Sequence, residues 1–176
     1  MHFGKLDFQP IKQHLALVAD PTRATIQALS LRGLFVTKID TTLADTAVFC
    51  EHYDISLDVS ANCVIVEAKR GDRVWYAACI ILATNKIDVN GIVRRFLDAS
   101  KTSFAPMDSA TSLTGMQYGG ITPIGLPSEW PILVDARVAS SDVVVVGSGL
   151  RSSKILAPGH LIASLPNTTV LDITKE

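Results

Sequence analysis

Up to about Tyr53 the apolar positions follow mainly helical spacing, and from Asn62 onward the pattern turns to β. In "PIKQHLALVAD" the side chains of Ile11, Leu15 and Val18 share one face, which predicts a short helix. Asp20-Pro21 opens another, because proline suits the first helical position, and "TRATIQALSLRG" carries it to a stop at Gly33. "LFVTKID" predicts a strand. Thr42 and Asp45 have capping-box spacing, with Asp in place of the preferred Glu or Gln, ahead of a helix over "LADTAVFCEHY" that buries Leu43, Ala47 and Cys50. "NCVIVEAK" and "RVWYAACIILAT" are rich in β-branched and aromatic residues and are joined by "RGD", which predicts an antiparallel hairpin. "NGIVRRFLDA" predicts a helix opened by Asp88 or Asn90, and "MDSATSLTG" one capped by Asp108 or Ser109 and stopped by Gly115. "PILVDARV" and "DVVVVGSG" predict strands, the second central because it is apolar throughout. "SKILAP" predicts a short strand, "APGHLIASL" a last helix and "TVLDI" a last strand. Strands outnumber βαβ repeats, so the expected fold is mixed α+β or α/β around a largely antiparallel sheet.

The remaining bulk properties narrow the class. A chain of 176 residues without a visible linker suits a single domain, 1–176. Hydrophobic residues at 48% and charged residues at 19% support a packed core and argue against disorder. A net charge of −1 confines any nucleic-acid contact to a local patch. Cys50, Cys63 and Cys79 have neither zinc-site nor disulfide-framework spacing, and no metal or other cofactor is called for. The start, "MHFGKLDFQPIKQ", lacks the apolar centre of a signal peptide, and no apolar run approaches the roughly 20 residues of a membrane span. A reduced, cytoplasmic location without membrane contact is therefore expected.

Two glycine-containing stretches carry candidate chemistry. "MQYGGITPIGLP" places Gly119, Gly120, Pro123, Gly125 and Pro127 in one loop. Glycine permits positive φ and close approach, proline stiffens the chain, and the result is a rigid turn able to offer backbone N–H groups to a carbonyl oxygen or oxyanion. The alternative is a tight connection between helix and strand. In "VVVVGSGLRSSK", Gly147, Ser148 and Gly149 follow an apolar strand, as ligand loops at strand ends do, but the third glycine of a dinucleotide fingerprint is missing.

The order of these elements resembles the YbaK family, also called the prolyl-tRNA synthetase-associated editing domain family. The resemblance runs from about Thr41 to Ile173 and is most specific at Leu113-Thr114-Gly115 followed by Gly119-Gly120-Ile121-Thr122-Pro123-Ile124-Gly125, supported by Gly147-Ser148-Gly149 and Ala157-Pro158. It implies a single α/β domain with a curved, mostly antiparallel sheet surrounded by helices. It also implies an editing deacylase of the free-standing, trans-acting type, which hydrolyses the ester of a mischarged tRNA. The substrate it suggests is tRNA-Pro carrying alanine or cysteine, recognised at its acceptor end, with prolyl-tRNA synthetase as a further partner. Such an ester is already activated, so no protein nucleophile or metal is obligatory. An extra methylene is worth only about 1–3 kcal/mol of discrimination in a synthetic site, which is why a second, editing site exists.

The glycine loops, the local basic groups and the resemblance together suggest roles. Gly120 and Asn62 are the expected catalytic positions; Gly119, Ile121, Thr122, Pro123, Gly125, Asp135, Gly147, Ser148 and Gly149 the expected substrate-binding ones; Arg151 and Lys154 the expected tRNA-binding cations. Family members carry a lysine at the start of the first hairpin strand, where this chain has Asn62. Asparagine hydrogen-bonds a ribose or carbonyl but supplies no charge. Either the site is rearranged, or Arg151, Lys154 or Lys69 takes over the charge, or the domain is a catalytically weak module that binds a tRNA end or nucleotide. Thr122, Ser148 and Asp135 each also suit a local turn. Cys63 and Cys79 read as small buried packers and Cys50 as helix core. His52 and His160 read as surface or cap residues, and Arg94, Arg95 and Lys101 as a small basic group.

Overall fold

The computed structural model describes residues 1–175. Its chain order begins with β1 (His2–Phe3), β2 (Leu6–Asp7) and β3 (Gln9–Pro10), then α1 (Asp20–Ala28), β4 (Phe35–Lys38), α2 (Thr46–Tyr53), β5 (Ala61–Arg70) and β6 (Arg73–Leu82). There follow α3 (Arg94–Phe96), β7 (Lys101–Phe104), α4 (Met107–Thr114), β8 (Ile132–Asp135), α5 (Ala136–Ser140), β9 (Val144–Gly147), β10 (Ser153–Ala157), α6 (Gly159–Ala163) and β11 (Thr168–Leu171). This is a mixed α+β domain. Besides the short β1–β2 pair there are two sheets, of order β3-β4-β10-β9 and β11-β8-β6-β5-β7. Every ladder is antiparallel except the two that β8 makes, with β6 and with β11.

Strand alternation explains why so many segments are apolar throughout. On β9, Val144 and Val146 enter the central core while Val145 packs with Phe8, Phe49 and Leu156 under α2. On β6, Ala78, Ile80 and Leu82 enter the central core, and Ala77 and Cys79 pack with Val93, Leu97 and Leu133 on the other face. Successive side chains point to opposite faces, and both faces are covered, so an apolar run results without helical character. The same reasoning corrects the expected central place of "DVVVVGSG": β9 is an edge strand of its sheet, made apolar by burial on both faces.

Several boundaries differ from the sequence pattern. "PIKQHLALVAD" forms two separate 3-10 turns, Ile11–Gln13 and Leu15–Leu17, interrupted at His14 (φ −135°, ψ 32°). Helix α1 ends at Ala28, and Ser30 with φ 50° turns the chain before Gly33 is reached. Asp40 caps a separate 3-10 turn, Thr41–Leu43, accepting from the Thr42 N–H at 2.8 Å, whereas α2 follows Asp45 without a side-chain cap and buries Phe49 and Cys50 while Ala47 is exposed. The Asp88 carboxylate accepts from Gly91 N and Ile92 N, both at 3.0 Å, and opens a π-turn, Val89–Val93, that runs into the short α3. Pro106 rather than Asp108 or Ser109 is the cap residue of α4, and Gly115 (φ 67°) ends it as expected. "PILVDARV" is a strand only to Asp135, where α5 begins.

Candidate active-site cleft

Strand β5 is bonded to β6 along its whole length, Ala61 to Arg70, but to β7 only from Val66 to Lys69. At Ser60 the chain meets β9 through an isolated parallel bridge to Val145. The Ala105 N–H still donates to Ile65 O at 2.9 Å, and between those neighbours Ala61–Val64 has no ladder partner on its outer edge among the described residues. A cleft of about 440 Å³ opens there, within the range usual for small-molecule sites. The β5 edge forms one wall. Ala44, Asp45 and Thr46 form a second, Tyr118, Gly119 and Ile121 a third, and Gly147 and Lys154 complete the lining. Phe104 and Tyr118, also in the wall, keep 64% and 57% of their surface exposed.

Two polar side chains in the cleft hang from one segment. Thr46 Oγ1 donates to Asn62 Oδ1 at 2.6 Å, which fixes the amide and leaves its Nδ2 without a partner among the described residues. Lys154 Nζ donates to the Ala44 carbonyl at 2.9 Å and lies 5.2 Å from the Phe49 ring centroid. Only 7% of Lys154 is exposed. Burial pulls its ammonium down to about 8 from its ordinary value, with Arg151 adding to the fall and Cys50 and Asp45 opposing it. Cys63 lines the same cleft, and burial raises its thiol far above the ordinary cysteine range, so a thiolate nucleophile is disfavoured.

The two glycine stretches interlock. Gly149 N donates to Gly120 O at 2.7 Å, and Gln117 N donates to Gly149 O at 2.9 Å. A Cβ on Gly147 runs into the Gly120 and Ile121 carbonyls, one on Gly120 lands 2.5 Å from Leu150 O, and one on Gly125, where φ is +102°, lands 2.5 Å from Pro21 O. These glycines are required because backbone packs on backbone. Gly120 N donates to Gln117 O at 3.0 Å. That N–H is spent inside the turn, so the expected oxyanion-donor role of Gly120 is corrected to a packing role. Gly119 and Ile121 stand in the cleft wall, and neither backbone N–H has a partner among the described residues. They replace Gly120 as the candidate donors.

Other expected site residues fall elsewhere. Asp135 is wholly buried, caps α5 through Arg137 N (3.0 Å) and accepts from Ile173 N (3.1 Å), so it secures a strand-to-helix turn outside the cleft. Ser148 Oγ bonds the Leu150 and Ser153 carbonyls, both at 3.1 Å, and closes its own turn, as its bland reading allowed. Gly149 (φ 85°) packs against Ala19, and Thr122 is fully buried outside the cleft wall. Pro123 and Gly125 line a separate depression of about 210 Å³ with Trp130 and Leu165. The Arg151 guanidinium reaches Thr41 O (3.1 Å), Tyr118 O (3.1 Å) and Asp45 Oδ1 (3.3 Å), clamping the cleft walls together. Lys69 pairs with Glu67 at 2.8 Å at the far end of the hairpin. Thr46, Asp45, Phe104 and Tyr118 were not anticipated from sequence, because nothing in a linear pattern marks a loop residue that the fold brings to a cleft. No group of three or more His, Cys, Asp or Glu side chains converges among the described residues, and no described helix is long and apolar enough to cross a membrane.

A family model described as an aminoacyl-tRNA editing domain matches residues 41–161. Among solved structures, a candidate trans-editing enzyme for prolyl tRNA synthetase superposes with a TM-score of 0.73 at 17% identity, over 90% of this chain and 99% of that one. A hypothetical protein gives a TM-score of 0.77 at 18% identity, over 89% of this chain and all of the other. A scaffold from computational epitope grafting gives 0.76 at 15% identity, over 90% and 97%. These likenesses establish the fold, and the matched stretch of the family model contains every wall of the cleft.

Proposed function

The chain belongs to the aminoacyl-tRNA editing domain family, and on that premise we propose that it is a free-standing, trans-acting deacylase that hydrolyses the ester linking a small amino acid to the 3′ end of a mischarged tRNA. The observation that carries this reading is the cleft at the open edge of β5, whose about 440 Å³ holds an aminoacyl group and a ribose but no folded partner. The Gly119 and Ile121 N–H groups, without partners among the described residues, receive the ester carbonyl in this reading, and the Asn62 amide, held by Thr46, orients the terminal ribose. Asp45 has one carboxylate oxygen on Arg151 and the other without a partner among the described residues, which suits the substrate's α-ammonium. The exposed rings of Phe104 and Tyr118 offer faces on which the unpaired bases of the acceptor end stack. Alanine or cysteine on tRNA-Pro are the first substrates to try, with prolyl-tRNA synthetase as the source of the error and the cytoplasm as the place of action.

The neutral Asn62 favours a second reading, a weakly catalytic module that binds a tRNA end or a nucleotide. Deacylation of a panel of mischarged tRNAs, with Asn62→Lys alongside, separates the two. Turnover by the native chain above the uncatalysed rate supports the deacylase. Binding of the same tRNAs without turnover supports the module.

A further inference from the structure

We infer that Lys154 is the catalytic cation of this cleft, its ammonium receiving the charge that develops on the ester carbonyl oxygen. The inference rests on the deacylase reading and assigns a part within it. Lys154 is the one cationic side chain in the cleft wall among the described residues. Its position on β10, directly opposite Gly147 in the ladder, sets it beside the loop carrying the Gly119 and Ile121 donors. A lysine that is 7% exposed ordinarily needs a carboxylate partner. This one has a single acceptor among the described residues, the Ala44 carbonyl at 2.9 Å, while the nearby Asp45 is bonded to Arg151. Two of its three N–H bonds therefore remain for a ligand. The ligand is an oxygen that carries negative charge deep in the cleft, which an ester carbonyl under attack provides and an outlying backbone phosphate does not.

In the step assigned, water adds to the ester carbon and the carbonyl electron pair moves onto oxygen, facing the ammonium. Collapse breaks the bond to the ribose oxygen, which takes a proton from the attacking water. The products are the free amino acid and a ribose hydroxyl. Asn62 and Lys154 are tethered to the same short segment, at Thr46 and Ala44. The cation implied at position 62 by the resemblance is thus supplied from β10 instead. The titratable groups facing it are Cys50 on α2, Asp45, Arg151 on the turn before β10, and Cys63 and Tyr118 in the cleft wall.

The test compares the native chain, Lys154→Met, Lys154→Arg and the double variant Lys154→Met with Asn62→Lys on the mischarged tRNA that the native chain cleaves fastest. Removal of one donor to an oxyanion lowers rates by about 10²–10³-fold. Lys154→Met is expected to lose that much in kcat with KM within about threefold, while its melting temperature does not fall. Lys154→Arg is expected to retain more activity than Lys154→Met, and Asn62→Lys is expected to restore at least about tenfold of the loss. Lys154→Met activity within about threefold of native overturns the inference while leaving the deacylase reading intact. So does a loss of activity that comes with a lowered melting temperature and no rescue by Asn62→Lys, the mark of a merely structural lysine. No turnover by the native chain on any substrate overturns both.

Discussion

The two ends of the β5–β6 hairpin treat charge in opposite ways. At the turn end, β5 is bonded on both edges and its charges are paired: Lys69 with Glu67 at 2.8 Å and Arg70 with Asp98 at 2.6 Å, while Arg73 of β6 lies over the Trp75 ring at 4.6 Å. The Glu67 carboxylate, by bonding to the Lys69 ammonium, raises it above its ordinary value. At the cleft end one edge of β5 is open, the side chain presented is a neutral asparagine, and the nearby Lys154 is buried without a carboxylate and pulled down to about 8. A paired, exposed lysine fits a stability role of small size. A buried, unpaired one costs stability, and its retention calls for a ligand.

The largest effect expected to sharpen this contrast is on rate. Lys154→Met is predicted to lower kcat about 10²–10³-fold, whereas Lys69→Met leaves kcat within about twofold. The next is on stability and has a definite sign. Because the folded-state value of Lys154 is about 8 against an ordinary 10.5, the unfolded chain binds its proton more tightly. The penalty is fully present below pH 8 and fades as pH rises to about 10.5. A shift of that size corresponds to about 3 kcal/mol, from which about 1 kcal/mol is lost with the Ala44 hydrogen bond, so Lys154→Met is predicted to be about 2 kcal/mol more stable than native at pH 7. Urea unfolding at pH 7 and pH 10 checks this, and the advantage should shrink at the higher pH. A destabilised variant breaks the contrast. The enzymatic rate above background should fall as pH rises through about 8, when the ammonium deprotonates, and this fall should be absent in Lys154→Arg.

Smaller effects concern the rim and the thiol. Phe104→Ala and Tyr118→Ala are each predicted to raise KM for aminoacyl-tRNA about fivefold or more, since stacking of a base is worth about 1–3 kcal/mol, with little change in kcat. Steady-state kinetics on a full-length tRNA separates the two constants. Cys63→Ala is predicted to change kcat less than about threefold, because a thiol raised by burial is not the nucleophile.

Much of this architecture was legible in the sequence. The hairpin showed in its β-branched runs around "RGD", and the interlocked loops in the glycines and prolines between Gly119 and Gly125. What escaped was set by tertiary contact. Asp135 looked like a strand-end carboxylate near the pocket, yet it caps a five-residue helix too short to show a period. Gly120 looked like the oxyanion donor, but its N–H is consumed by Gln117 O, a bond that depends on the exact turn. Lys154 was visible as a cation in "SKILAP", expected either to bind tRNA or, with Arg151 and Lys69 as alternatives, to replace the charge missing at Asn62. Only the fold of β10 against the Ala44–Thr46 segment shows it buried in the cleft wall. Phe104 lies on β7, a strand with no apolar signal of its own, and Tyr118 lies in a loop.

The most direct test of the central claim is single-turnover hydrolysis of Ala-tRNA-Pro and Cys-tRNA-Pro, with other mischarged tRNAs bearing small amino acids, by the native chain. The account predicts release of the amino acid from at least one of them well above the uncatalysed rate, with correctly charged Pro-tRNA-Pro spared. Tight binding with no acceleration on any of these substrates would contradict it and leave the β5 cleft a binding site alone.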